Sequence, residues 1–354
     1  MNLDDAKEER SRIIDHYFEM RDLDPRERVT TLAVAPRPDL HLSVGYIRRS
    51  DRRYGLEVRI RKDDGIAASY AASVREKYGG DVSISRIGRV EVPSRARILR
   101  AEQAIVFPDR RRPLVLGASV AHRDAMAGSI GLFAEWREGA LAGRKGIVSN
   151  SHVLALAGRG RRGDPVYQPG RPDAKPLLAE LQIATLSNFT VLSPTGTQEL
   201  DAAVACLADE TLVGEGNVIP AGLAGGGQGS RRLKGVAECE TLGPRPRVCK
   251  VGRSTGLTTA TITAIGLDNL SIYVPDLRRN IRFDNVFEIT WDSPDDVFAG
   301  PGDSGSVVYD PATMNAVGLV FAGSLRDVDG TTVGTSYACG LVGVLKAFGL
   351  SMLS

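Results

Sequence analysis

From Leu114 onward the chain is broken into short apolar runs separated by clusters of Gly, Pro, Asn and Asp. This punctuation constrains the fold more than any other feature. The runs lie at 146–149, 202–207, 248–251, 259–265, 286–291, 305–309 and 316–321. Each is too short for a packed helix, and each is bounded by turn-forming residues. Many short strands at close spacing, with almost no helix between them, read as all-β, either a sandwich or barrels. Residues 341–350 are the exception and carry the pattern of a short terminal helix. Residues 221–230, with Gly225-Gly226-Gly227, read as a flexible loop.

The first third has another texture. Residues 3–22 read as a helix with Ile13, Ile14, Tyr17 and Phe18 on one side, and Pro25 ends it or lies just beyond its end. Segments 40–47 and 54–60 alternate like strands. A helix rich in Ala follows at 66–78, stopped by Gly79-Gly80, and strand character resumes over 81–92. The order is β-β-α-β, a small α/β unit without a catalytic motif. Its arginines (Arg48, Arg49, Arg52, Arg53, Arg59 and Arg61) read as a solvated charged face, with an RNA- or peptide-binding face as the competing reading. Arg110, Arg111 and Arg112, between Asp109 and Pro113, read as an exposed linker. The expected organisation is therefore an N-terminal helix over 1–30, a small α/β domain over 31–110 with regulation as its expected role, and a β-rich domain over 111–354.

A length of 354 residues suits two domains. Lys plus Arg number 45 against 43 Asp plus Glu, a net charge of +2, so nucleic acid and anionic membranes are not the expected partners. The N-terminus begins with acidic residues and lacks an apolar signal region, and no stretch is long and apolar enough to span a bilayer. The expected location is cytoplasmic. Cys206, Cys239, Cys249 and Cys339 are then expected as reduced thiols, with a Cys239–Cys249 bridge as the minority alternative. None has Cys-x-x-Cys spacing, and no phosphate loop or paired metal ligands occur, so no cofactor is expected.

Three places carry chemistry. The first is Gly300-Pro-Gly302-Asp303-Ser304-Gly305-Ser306. A serine needs a base to take its proton and a backbone that presents it sharply, which flanking glycines allow. The N–H groups of Gly302 and Ser304 are candidate oxyanion donors. The second is His152, which follows an apolar strand; a base at a strand end is rigid and reachable. His16, His41 and His122 lack such a setting. The third is Asp201, which opens the apolar run Ala202-Ala-Val-Ala-Cys206, where a partly buried carboxylate wants a donor such as a histidine N–H. Separately, each has an ordinary structural account as a turn, a cap or a surface side chain. The order His152, Asp201, Ser304 discriminates: no histidine follows Ser304, which excludes the Ser-Asp-His order of α/β-hydrolases.

With these residues in view, the segment from about 112 to 354 resembles the bacterial trypsin-like (chymotrypsin-fold) serine proteases. The matching pieces are Ser149-Asn-Ser-His152-Val-Leu-Ala, Gly163-Asp-Pro-Val-Tyr-Gln-Pro-Gly170, Leu200-Asp201-Ala-Ala-Val-Ala, Lys250-Val-Gly-Arg-Ser-Thr-Gly-Leu257, Gly302-Asp-Ser-Gly-Ser306 and Gly318-Leu-Val-Phe-Ala-Gly323. The resemblance implies two six-stranded β-barrels with His152 as general base, Asp201 as its orienter and Ser304 as nucleophile in the cleft between them. It implies a protein or peptide substrate. A protease inside a cell needs restraint, which is expected from the N-terminal region or from a regulatory protein partner. A protease-fold binding module without activity is the alternative. Val153 stands where many secreted relatives have a disulfide cysteine. Asp303 matches the aspartate that a freed N-terminus neutralises in digestive relatives; here an internal cation is expected instead, Arg253 before Lys250. Phe298, six residues before Ser304, matches the pocket base, with Phe321, Ala322 and Gly323 as a wall, which implies a small or apolar residue before the scissile bond.

Overall fold

The computed structural model describes residues 1–21, 23, 41–61, 64–92, 106–174, 176, 179–220, 231–328 and 330–354. The expected loop at 221–230 and the expected helix stop at Pro25 lie outside these residues. Helix α1 (Leu3–Met20) starts with a capping box, in which the Asn2 side chain accepts the Asp5 amide and the Asp5 carboxylate accepts the Asn2 amide. Its apolar face, Ile13, Ile14, Tyr17 and Phe18, is buried. That face packs on an antiparallel hairpin, β1 (Leu42–Ser50) and β2 (Arg53–Arg61). Helix α2 (Gly65–Tyr78), capped by Asp64, crosses over to β3 (Val82–Ile87), which lies parallel to β2. Two residues later comes β4 (Val90–Glu91).

The first barrel contains β5 (Ser119–His122), β6 (Gly128–Ser129), β7 (Leu132–Trp136), β8 (Lys145–Ser149), β9 (Pro165–Tyr167), β10 (Gln182–Phe189) and β11 (Ala203–Leu207). β6 and β7 are parts of one strand interrupted at Ile130 and Gly131. Pairing runs β5–β6, β7–β8, β8–β11, β11–β10, β10–β9 and back from β9 to β5, a closed ring of six strands. A single turn of helix, α3 (Ser151–Leu154), follows β8. The short strands β12 (Val218–Ile219), β13 (Arg231–Arg232) and β14 (Gly235–Val236) belong to the connection.

The second ring uses β15 (Arg247–Gly252), β16 (Gly256–Asp268), β19 (Val286–Thr290), β20 (Val307–Tyr309), β21 (Asn315–Val328) and β22 (Thr331–Gly340); a hairpin of β17 (Leu270–Val274) and β18 (Arg279–Phe283) projects between β16 and β19. Pairing runs β15–β16–β19–β22–β21–β20 and back to β15, again six strands and closed. The C-terminal α4 (Leu341–Phe348) leads to β23 (Leu350–Met352), which returns to pair with β7 of the first barrel. One apolar cluster, including Leu116, Val148, Val251 and Leu319, joins the two barrels. The chain is thus mostly β, as its punctuation predicts. No helix among the described residues is long and apolar enough to cross a membrane.

The N-terminal strands do not stand apart from this body. β1 pairs with β16, so β1, β2 and β3 extend the sheet of the second barrel. β2 is buried on both faces. Leu56, Val58 and Ile60 meet α1 and α2, while Glu57 and Arg59 face the barrel. The expected solvated arginine face is therefore corrected at Arg59, which is 0 % exposed. Its Nε and one terminal nitrogen donate to Glu288 at 2.8–3.1 Å and the other donates to Glu57 at 3.0 Å. Arg326 donates to the same Glu288 oxygen at 2.8 Å.

Burial alone would raise the Glu288 carboxyl, but the charges of Arg59 and Arg326 prevail and hold it at about 2, against an ordinary 4.5. With the folded value depressed, its stabilisation is complete above pH 4.5 and is lost as the pH falls toward 2. Glu288→Gln is expected to cost about 3 kcal/mol at neutral pH. Urea unfolding of both proteins at neutral pH and in acid checks this: the difference should shrink in acid, and a constant difference would contradict it.

Candidate active site

β11 pairs antiparallel with β8 so that Ala203 lies opposite Ser149. That register carries Asp201, two residues before Ala203, to the turn that holds His152. The Asp201 carboxylate is fully buried and accepts two bonds from one residue: from the His152 amide at 3.2 Å and from the ring Nδ1 at 2.5 Å. A carboxylate only accepts, so Nδ1 bears a proton, and in the neutral ring that leaves the lone pair on Nε2. The Asp201 carbonyl is held in turn, by Asn150 Nδ2 at 2.6 Å and by Cys339 Sγ at 3.9 Å. Burial pushes the Cys339 thiol up to about 12, which keeps its hydrogen in place. All four cysteines are buried and unpaired.

Ser304 sits in the turn between β19 and β20 and is 5 % exposed. Its carbonyl accepts the Ser129 amide at 2.8 Å, and the Gly302 carbonyl accepts the Ser129 hydroxyl at 3.0 Å. The Ser129 carbonyl accepts from Ser149 Oγ at 2.8 Å, three residues before His152. Three hydrogen bonds through Ser129 thus connect the histidine strand with the serine turn. Gly128 allows the close approach: a Cβ there would lie 2.5 Å from Val153 and 2.7 Å from the Ser304 carbonyl. Gly302 has φ 101° and Gly305 φ 87°, a region only glycine enters freely. Among the described residues, no internal acceptor meets the amides of Gly302 or Ser304, whereas those of Asp303, Gly305 and Ser306 bond to Gly300, Val320 and Asp303. Two unpaired donors beside a serine hydroxyl are what a developing oxyanion requires.

Asp303 is fully buried and closely surrounded. Oδ1 accepts the amides of Ser254 at 2.8 Å and Thr255 at 3.2 Å; Oδ2 accepts the Gly300 amide at 2.9 Å and the Thr255 hydroxyl at 2.7 Å. The cation beside it is Lys250, buried, with Nζ 3.5 Å from Oδ2. The preference for Arg253 is corrected. Its guanidinium turns to Asp173, with Nε at 2.6 Å, because its strand ends at Gly252 and the side chain leaves the barrel interior. Asp173 also accepts from Ser119 and carries no sequence signal of this role. Ser254 and Thr255 lie within the Lys250–Leu257 segment, but nothing in the sequence marks them as donors to Asp303.

The expected pocket residues are not brought together. Phe298 is 0 % exposed and belongs to the core of the second barrel with Val248, Ile262 and Val308, its ring 5.9 Å from Lys250 Nζ. As a pocket base it is corrected: burying the ring in that core outweighs leaving it to line a cleft. Phe321 packs instead on Phe283 of the β17–β18 hairpin, with ring centroids 4.9 Å apart. Ala322 is buried, and Gly323 lies opposite Glu91 of β4. His122 is a structural histidine: its Nδ1 accepts the Asp124 amide at 3.0 Å and its Nε2 lies 3.1 Å from Asp164.

No known protein family's profile matches the chain, and no curated protein matches it. Among solved structures it is similar to the Nocardiopsis protease NAPase, at 19% identity and TM-score 0.44, over 68% of this chain and 98% of that one. Protease A of Thermobifida fusca matches at 16% identity and TM-score 0.42, over 68% and 98%. The chymotrypsin of Cellulomonas bogoriensis matches at 20% and 0.41, over 68% and 97%. At this distance the two closed rings and the side-chain geometry carry the reading, and the likenesses add no weight of their own.

Lys250→Met is expected to speed hydrogen exchange at the Ser254, Thr255 and Gly300 amides, since Asp303 then lacks its counter-charge. Arg253→Met should leave those amides protected. Equal exchange in both variants, followed by mass spectrometry or NMR, would assign the support of Asp303 wrongly.

Proposed function

We propose that this chain is a serine endopeptidase. The observation that carries the reading is the buried His152–Asp201 pair joined, through Ser129, to a serine turn with two unpaired amides. In the first step Ser304 Oγ attacks the peptide carbonyl carbon while His152 Nε2 takes the hydroxyl proton. The carbonyl electron pair moves onto oxygen, where the Gly302 and Ser304 amides receive it. As the C–N bond breaks, Nε2 returns the proton to the leaving amine and Ser304 holds the acyl group. Water then attacks this ester with Nε2 as base, which releases the acid and restores serine and histidine. Asp201 stays ionised and steadies the imidazolium that forms twice per cycle. Lys250, through Asp303, is a positioning residue for the oxyanion amides. The N-terminal region restrains this activity, and the substrate is a protein or peptide.

Labelling with a small fluorescent fluorophosphonate tests the proposal. Wild type should react, Ser304→Ala should not, and Asp201→Asn should react slower by about 10⁴-fold. A wild type that stays unlabelled, while folded by circular dichroism, would support the inactive binding module instead.

A further inference from the structure

Peptides commonly dock on an enzyme by adding a strand to an exposed sheet edge. A peptide whose carbonyl sits on Ser304 must run its preceding residues away from that serine. β21 offers the edge. Val320 holds the serine turn by accepting the Gly305 amide at 2.8 Å and donating to the Ser306 carbonyl at 3.0 Å. β20 uses this edge only as far as Leu319. Gly323 lies three residues beyond Val320, about 10 Å along the strand.

That edge is occupied by the chain itself. Glu91 pairs antiparallel with Gly323, and Ile87 with Arg326. The Gly88 amide donates to the Leu325 carbonyl at 2.7 Å, and Ser324 Oγ donates to the Arg89 carbonyl at 3.2 Å. On its other side β4 runs parallel to β17, with the Val92 amide donating to Tyr273 at 3.0 Å and the Arg89 guanidinium 3.7 Å above the Tyr273 ring. Ile87, Val90 and Val92 are buried in the same cluster as Phe283 and Phe321. Because β4 is antiparallel to β21, its C-terminal end points back toward Val320 and the serine turn. That is the polarity of the acyl half of a substrate.

We infer that residues 87–92 are a built-in occupant of the acyl-side peptide edge, a substrate-like strand that an extended peptide must displace before Ser304 can acylate. The inference rests on the endopeptidase reading and names the means by which the N-terminal region restrains it. A small probe that needs only the serine is unaffected by this strand; a long one is excluded.

The test compares wild type with the full-length double variant Gly88→Pro, Val92→Pro, which removes two of the amide donors holding the strand. A small fluorophosphonate should label both at similar rates. A tetrapeptidyl phosphonate ending in an alanine analogue should inactivate the variant about thirtyfold faster, the effect of two net backbone hydrogen bonds. Equal inactivation of both by the peptidyl probe overturns the inference while leaving the endopeptidase reading intact. Absence of fluorophosphonate labelling in both overturns that reading and the inference with it. Hydrogen exchange on wild type covers the case of a misfolded variant. Coupling the peptidyl phosphonate to Ser304 should expose the Gly88 and Val92 amides, and continued protection of both overturns the inference.

Discussion

The Asp303 carboxylate is fully buried, and a carboxylate is stable in such a place only when donors surround it. Three amides, one hydroxyl and the Lys250 ammonium do so here. Each of these contacts fixes a piece of backbone. Ser254 and Thr255 belong to the turn between β15 and β16, and Gly300 opens the serine turn, so one carboxylate ties the two together. Gly302, with its positive φ, and the unpaired amides of Gly302 and Ser304 lie within the turn held by that attachment. Because the cation comes from β15, the arrangement does not call on a chain terminus to complete it.

A second buried ionic cluster performs a comparable task at the other end of β21. Arg59 and Arg326 share Glu288, so the N-terminal strands, β21 and β19 meet at one charge cluster. The backbone pairing of β1 with β16 fixes the same contact from the side. Buried ions are poor sources of net stability but strong guides to register, since a shifted strand would leave a charge unmatched. β3 follows from β2 through α2, and β4 follows β3. The cluster therefore also determines where β4 comes to lie.

The strands after Leu114 were legible because turn residues bound each of the short apolar runs that form them. The order of His152, Asp201 and Ser304 was legible for a different reason: three weak local signals constrain one another once topology is considered. Arg59 was not legible. Glu57 and Arg59 alternate with Leu56, Val58 and Ile60 as in any strand with one wet face, and the partner that dries the other face, Glu288, lies 229 residues away. Lys250 and Arg253 were indistinguishable as charges, and only the end of β15 at Gly252 separates an inward lysine from an arginine that turns aside. The position of Phe298, six residues before Ser304, fixes where the backbone passes and nothing of which way a ring points.

The pairing of β23 with β7 bears on how the molecule is made. Leu350 to Met352 bond to Ala134 to Trp136, and Asn217 bridges the same region, donating to the carbonyls of Phe133 and Leu353 at 2.8 Å each. The strap across the first barrel is therefore synthesised after every other strand of both barrels. The strands of each barrel and the apolar cluster between them come earlier in the chain, and this further fastening waits until residues beyond 350 have emerged. A nascent chain thus carries both halves of the candidate site before it carries the strand that ties them together.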